Sequence, residues 1–204
     1  MPRNAFHKRA SALEDEFFHQ VDQKLIERLR ERHDREVDED ALTIATGIAD
    51  RHVLDELLDV QITSRTLMAF SLFPAIYVAW ADGHVETAER EAVLRSAKHL
   101  GVIPESDAYE LLKLWLSTKP STELFLAWVD YVRALRPALS VRGFRELHEG
   151  VIKRAQRVAR AAGGFIGFHK VSKAEQATID ELHAVFADAN ADDSSSARMA
   201  LRGH

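Results

Sequence analysis

The 204-residue sequence contains no cysteine, which excludes disulfide frameworks, thiol nucleophiles, iron–sulfur clusters and Cys-ligated zinc. Glycine and proline number 9 and 5, below average usage of about 7% and 5%. Turns and extended structure are thus undersupplied, and helices are expected. There is no excess of basic charge. Thirty-two Asp and Glu stand against 27 Lys and Arg, for a net charge of -5, which argues against a nucleic-acid-binding surface spread over the chain. The longest uncharged run, residues 66 to 81, is 16 residues long, short of the roughly 20 apolar residues that a bilayer requires. It contains Pro74 and abuts Asp82. No membrane insertion is expected, and the run reads as a buried central helix with Leu67, Phe70, Phe73, Ile76, Tyr77 and Trp80 mostly covered. Near the start, Arg3, Lys8 and Arg9 are followed by acidic Leu13-Glu-Asp-Glu16 rather than an apolar segment. A signal peptide is therefore not expected and a cytoplasmic location is. No G-x-S-x-G, Walker A loop or dinucleotide fingerprint occurs, so no enzymatic motif is available to build on.

What is present is a chain with 46% apolar and 29% charged residues, enough to bury a sizeable core at single-domain length. Leu13, Phe17, Val21, Leu25 and Leu29 recur every four positions, which predicts an amphipathic helix over about 12–35. It packs on the body or makes a homodimer; the drift of a four-residue period favours packing on a globular body over a long coiled coil. Asp38 or Asp40 begins a second helical stretch reaching about Gln61 with an interruption near Gly47. A fourth helix carries Ala92, Val93, Ala97 and Leu100 and stops near Gly101. Ser106 caps the next; Pro120 and Ser121 open another, which Pro137 ends or kinks. A basic helix over about 140–161 places Phe144, Leu147, Val151, Ala155 and Val158 inward, and Gly163-Gly164 stops it. Ser172 with Glu175 forms a capping box for a last helix over about 172–188. Residues 189–204 lack apolar spacing and read as a disordered tail. The expected organisation is an all-α bundle of seven to nine helices, with an N-terminal arm at 1–62, a body at 63–188 and the tail.

Asp82-Gly83-His84-Val85-Glu86-Thr87-Ala88-Glu89 has the spacing of the second half of an EF-hand loop. Positions 1 and 3 of such a loop would fall on Val78 and Trp80, which cannot ligate calcium, so a genuine EF-hand is ruled out. Two readings remain. One is an interhelical turn: Gly83 supplies positive φ, Val85 enters the core, and the acids sit where the next helix dipole favours them. The other is a weak divalent cation site, Ca²⁺ or Mg²⁺, on the hard oxygens of Asp82, Glu86 and Glu89.

Residues 79 to 91, Ala-Trp-Ala-Asp-Gly-His-Val-Glu-Thr-Ala-Glu-Arg-Glu, resemble the signature turn of the TerB-like family of bacterial tellurite-resistance-associated domains. An offset of 86 residues also lays Val171-Ser-Lys-Ala-Glu175 over Val85-Glu-Thr-Ala-Glu89 and Ile179 over Val93. In this second copy Phe168 and His169 replace the Asp and Gly, and Glu175 matches Glu89. The resemblance, over roughly 60–188, implies an internally duplicated helix–turn–helix bundle that works as a partner-binding module in stress or metal resistance. It further implies divalent metal held by acids, here Asp82, Glu86, Glu89 and Glu175, and no catalytic residue. The alternatives are a purely structural or oligomerisation protein and a metal-assisted hydrolase using the same acids.

Other constellations weigh less. Glu16-x-x-His19 lacks the second such motif that a di-iron bundle needs. His52, His99, His148 and His183 fall one per helix and read as surface residues. Asp180-x-x-His183 lacks a third ligand that sequence can name. Gly164-Phe-Ile-Gly167 matches a KH-type loop, yet no strands accompany it. Arg142 to Arg160 is locally basic without the aromatic interleaving that base stacking needs, a solvated face or a docking site for an acidic partner or nucleic-acid phosphate, with no specific nucleic acid expected.

Overall fold

Side-chain oxygens mark most helix starts in this chain, and left-handed residues mark several ends. A computed structural model describes the backbone of residues 34–162 and 171–202, and the side chains of 34–161 and 171–190. Among the described residues there are nine helices and no strand. Helix α1 covers 34–46 and closes on Gly47, whose φ of 73° suits the left-handed turn that a glycine best supplies. Asp50 caps α2 (Arg51–Asp59) by accepting from His52 N at 3.0 Å. The end of α2 is tighter than its residue type favours: Gln61 has φ 62°, while Ile62 N donates to Leu57 O at 2.8 Å.

The uncharged run does not form one helix. It divides into α3 (Leu67–Phe70) and α4 (Phe73–Ala79). Pro74 has no N–H to give the carbonyl of Phe70, and its ring crowds that carbonyl, so the ladder breaks one turn upstream. Ser71 Oγ donates instead to Met68 O at 2.7 Å. The burial expected of this segment is present: Phe70, Phe73 and Ile76 are fully buried and Leu67, Tyr77 and Trp80 pack partly covered against the core.

Helix α5 (Thr87–His99) ends with Gly101 at φ 84° and Val102 N donating to Ala97 O. Ser106 caps α6 (Asp107–Ser117), preceded by Glu105 at φ 68°. Ser121 caps α7 (Thr122–Ala138), and Pro137 is absorbed in its final turn. Helix α8 (Val141–Ala162) and α9 (Lys173–Arg202) complete the fold.

The stretch 189–202, expected as a disordered tail, continues α9 as helix. No Gly or Pro interrupts the chain between Lys173 and Arg202, so nothing stops propagation once the helix has begun. Ala189 is 2% exposed, and Asn190 joins Phe186 O to Arg136 through its side chain.

The core centres on α4, against which α5, α8 and α9 pack, while α2 and α9 lie on α7. Phe73 meets Phe70, Tyr77, Trp115 and Trp128, and Phe186 meets Trp128 and Phe144. Trp80 Nε1 donates to Trp115 O at 2.8 Å, tying the end of α4 to α6. Leu42, Ile48, Leu54, Leu57 and Ile62 belong to the same continuous core. Among the described residues no helix is long and apolar enough to cross a membrane. The expected helix over 12–35 lies almost wholly outside the described residues, as do Glu16, His19, Gly164, Gly167, Phe168 and His169.

Candidate functional site: two buried carboxylates at matched helix starts

At the first helix start, Gly83 has φ 95° and donates to Trp80 O at 3.0 Å. Space is not the constraint there, because a Cβ at Gly83 would meet nothing within 4 Å; the backbone conformation is. Asp82 Oδ1 accepts from His84 N at 3.3 Å and lies 3.3 Å from His84 Nδ1. Val85 then packs against the core, and Glu86 becomes the N-cap of α5. Glu89 turns back so that its Oε2 accepts from Glu86 N at 2.8 Å, closing a reciprocal capping box.

The second start repeats this 86 residues later. Helix α5 begins at Thr87 and α9 at Lys173, Val171 packs against the core as Val85 does, and Glu175 Oε2 accepts from Ser172 N at 2.6 Å. Ser172 Oγ accepts in turn from Glu175 N at 3.1 Å. Val93 and Ile179 are 0% and 1% exposed. The offset read in the sequence therefore relates two helix starts with the same hydrogen-bond pattern and the same inward residues.

Glu89 and Glu175 are 2% and 5% exposed, an unusual depth for carboxylates. Burial pushes the Glu89 carboxyl up to about 7; the Glu86 N–H opposes this, and the charges of Glu175, Asp82 and Glu86 add to it. Glu175 keeps one oxygen, Oε1, buried without a hydrogen-bond partner. Two acids 86 residues apart in the sequence thus share one electrostatic environment. Either a proton or a cation there relieves their repulsion.

All four predicted site residues interact, since the charges of Glu175, Asp82 and Glu86 each act on Glu89; Glu89 and Glu175 are buried, while Asp82 and Glu86 stay exposed at the turn. Among the described residues no group of three His, Asp or Glu side chains is arranged to hold a metal ion. A cleft of about 420 Å³ lies elsewhere, between the ends of α2 and α6 and the start of α7, lined by Gln61, Trp115, Lys119 and Glu123 among others. The histidines did not all stay scattered: His148 on α8 and His183 on α9 meet, Nε2 to Nδ1, at 2.9 Å. Sequence spacing gave no sign of this, because the meeting depends on the register between two helices rather than on either alone.

Comparison with known proteins finds no matching family model, no matching curated protein and no matching solved structure.

Proposed function

We propose that the chain is a non-enzymatic, TerB-like helical binding module whose Glu89–Glu175 pair responds to a divalent cation, with Asp82 and Glu86 on the solvent side. It would present its surface to a protein partner in a stress, tellurite or metal-resistance context. The observation that carries the reading is the unpartnered, buried Glu175 Oε1 beside an acid whose proton affinity its charge raises. Ca²⁺ and Mg²⁺ take oxygen ligands, and a cation would satisfy that oxygen and remove the repulsion. The likeness of residues 79–91 to the TerB-like turn supports the same reading. Affinity would be weak, on the order of millimolar, because four carboxylates of which two are buried leave water to complete six to eight ligands.

The test is thermal unfolding with and without millimolar Ca²⁺ or Mg²⁺, on the native chain and on Asp82→Asn, Glu89→Gln and Glu175→Gln. A cation binding only the folded form raises the midpoint as ln(1 + [L]/Kd). The native chain should rise and the three variants should not; an unchanged native midpoint sinks the cation site.

A purely structural reading is favoured by the paired capping boxes, which already employ one oxygen of each acid. Under it Glu89→Gln and Glu175→Gln change stability without changing any cation response. A hydrolytic role for the same acids requires substrate to reach carboxylates that are 2% and 5% exposed.

A further inference from the structure

His148 projects from α8 and His183 from α9, 35 residues apart in sequence, and their ring nitrogens Nε2 and Nδ1 lie 2.9 Å apart. The rings are near perpendicular, at 81° with centroids 5.0 Å apart. His148 is half-buried and held by stacking on Phe186, at 4.4 Å and 17°. His183 is exposed. One imidazole is thus fixed by the core and the other is free to turn, with its nitrogen facing the first.

We propose that His148 and His183 form a two-imidazole seat for a late transition-metal dication, Cu²⁺ or Ni²⁺ ahead of Zn²⁺, on the outer face of α8 and α9. Metal–imidazole bonds run about 2.0–2.1 Å, so two nitrogens 2.9 Å apart subtend about 90° at an ion between them. That is the angle between neighbouring ligands in tetragonal and octahedral sites, which Cu²⁺ and Ni²⁺ prefer. The Irving–Williams order adds to the same preference. Water fills the remaining positions, since no third His, Asp or Glu among the described residues joins the pair.

Binding needs two lone pairs aimed at one point, and at present the two nitrogens share a proton across their contact. That proton moves by exchange with water to the outer nitrogen of whichever ring carries it, and His183 turns by a small side-chain rotation. No net proton is released from the neutral pair. Burial and the neighbouring His183 lower the proton affinity of His148, against an opposing pull from Glu149, and a metal takes an imidazole through its uncharged form. The seat is chemically distinct from the Glu89–Glu175 pair, which offers only oxygen.

The experiment uses the full chain without an affinity tag, titrated with NiCl₂ or CuCl₂, alongside His183→Gln, His148→Gln and His99→Gln. His183 is exposed, so its variant should unfold at the native midpoint without metal. At a hundredfold excess over Kd the native chain and His99→Gln should rise by about 5 to 10 °C, and both seat variants should lose that rise. One equivalent of Cu²⁺ should give an electron paramagnetic resonance spectrum split by two imidazole nitrogens in the native chain and by one in His183→Gln. An equal midpoint shift in native and His183→Gln chains, or no two-nitrogen splitting in the native chain, overturns the proposal.

Discussion

Glu89 ties local geometry to the pH dependence of folding. Its folded pKa is raised from 4.5 to about 7, so between those values the native state binds a proton that the unfolded state has released. Stability from this group is fully present below about pH 4.5 and is lost as pH rises toward 7, with a total loss of about 3 kcal/mol. The unfolding midpoint of the native chain should therefore fall between pH 5 and pH 8, and Glu89→Gln should flatten that fall. Gln keeps the capping acceptor, so a slope unchanged by the substitution would mean that another group governs it. Glu175 makes a contrasting case. Glu175→Ala removes the acceptor for Ser172 N and should cost about 1–2 kcal/mol, whereas Glu175→Gln should be tolerated and should lower the pH at which Glu89 titrates. Chemical denaturation at pH 6 and pH 8 reads both.

At the scale of elements, the caps decide where helices begin. Ser121→Ala, which removes an acceptor for Leu124 N, should destabilise by about 1 kcal/mol. Phe73→Ala, at the aromatic centre of α4, should cost about 3–5 kcal/mol, measured as a shift in urea midpoint with unchanged slope. Helix starts were legible because Ser106, Ser121 and Ser172 mark them with local chemistry, and the ends at Gly47 and Gly101 because left-handed backbone selects glycine. The break between α3 and α4 was not, since Pro74 acts on a carbonyl four residues upstream and apolar composition there hides the boundary. The extension of α9 past Ala189 was missed for a different reason: apolar spacing is the mark by which a helix is read in sequence, and residues 191–202 are rich in Asp, Ser and Ala without that spacing although they continue the helix. The correspondence of Glu89 with Glu175 as matching helix-start positions was legible through the 86-residue offset; that their charges meet was not, because an offset relates positions in a repeat and not places in space. Their burial was not, because charge in sequence reads as exposure. The meeting of His148 with His183 needed the packed helices.

Across the whole molecule, residues 42–62 and the helices after them share one core. Heating should therefore give a single transition in which helix loss by circular dichroism and the fluorescence of Trp80, Trp115 and Trp128 coincide. Leu57, fully buried in that core on α2, the helix that packs against α7, should transmit damage from the N-terminal side to all of it; Leu57→Ala should lower both signals together, at a cost of about 2–5 kcal/mol. Two separated transitions would show that the early helices fold as their own unit. The left-handed turns at Gln61 and Glu105 bear on the same global balance from the other side. Residues with side chains pay conformational strain there that glycine escapes, at an exposed position in each case. Replacing either by Gly should leave every contact of the core in place and alter stability by less than about 1 kcal/mol, as relief of strain is set against a more disordered unfolded chain. The molecule therefore has slack at its turns and none at its centre, and drift in its sequence should accumulate at those two corners while α4 stays fixed.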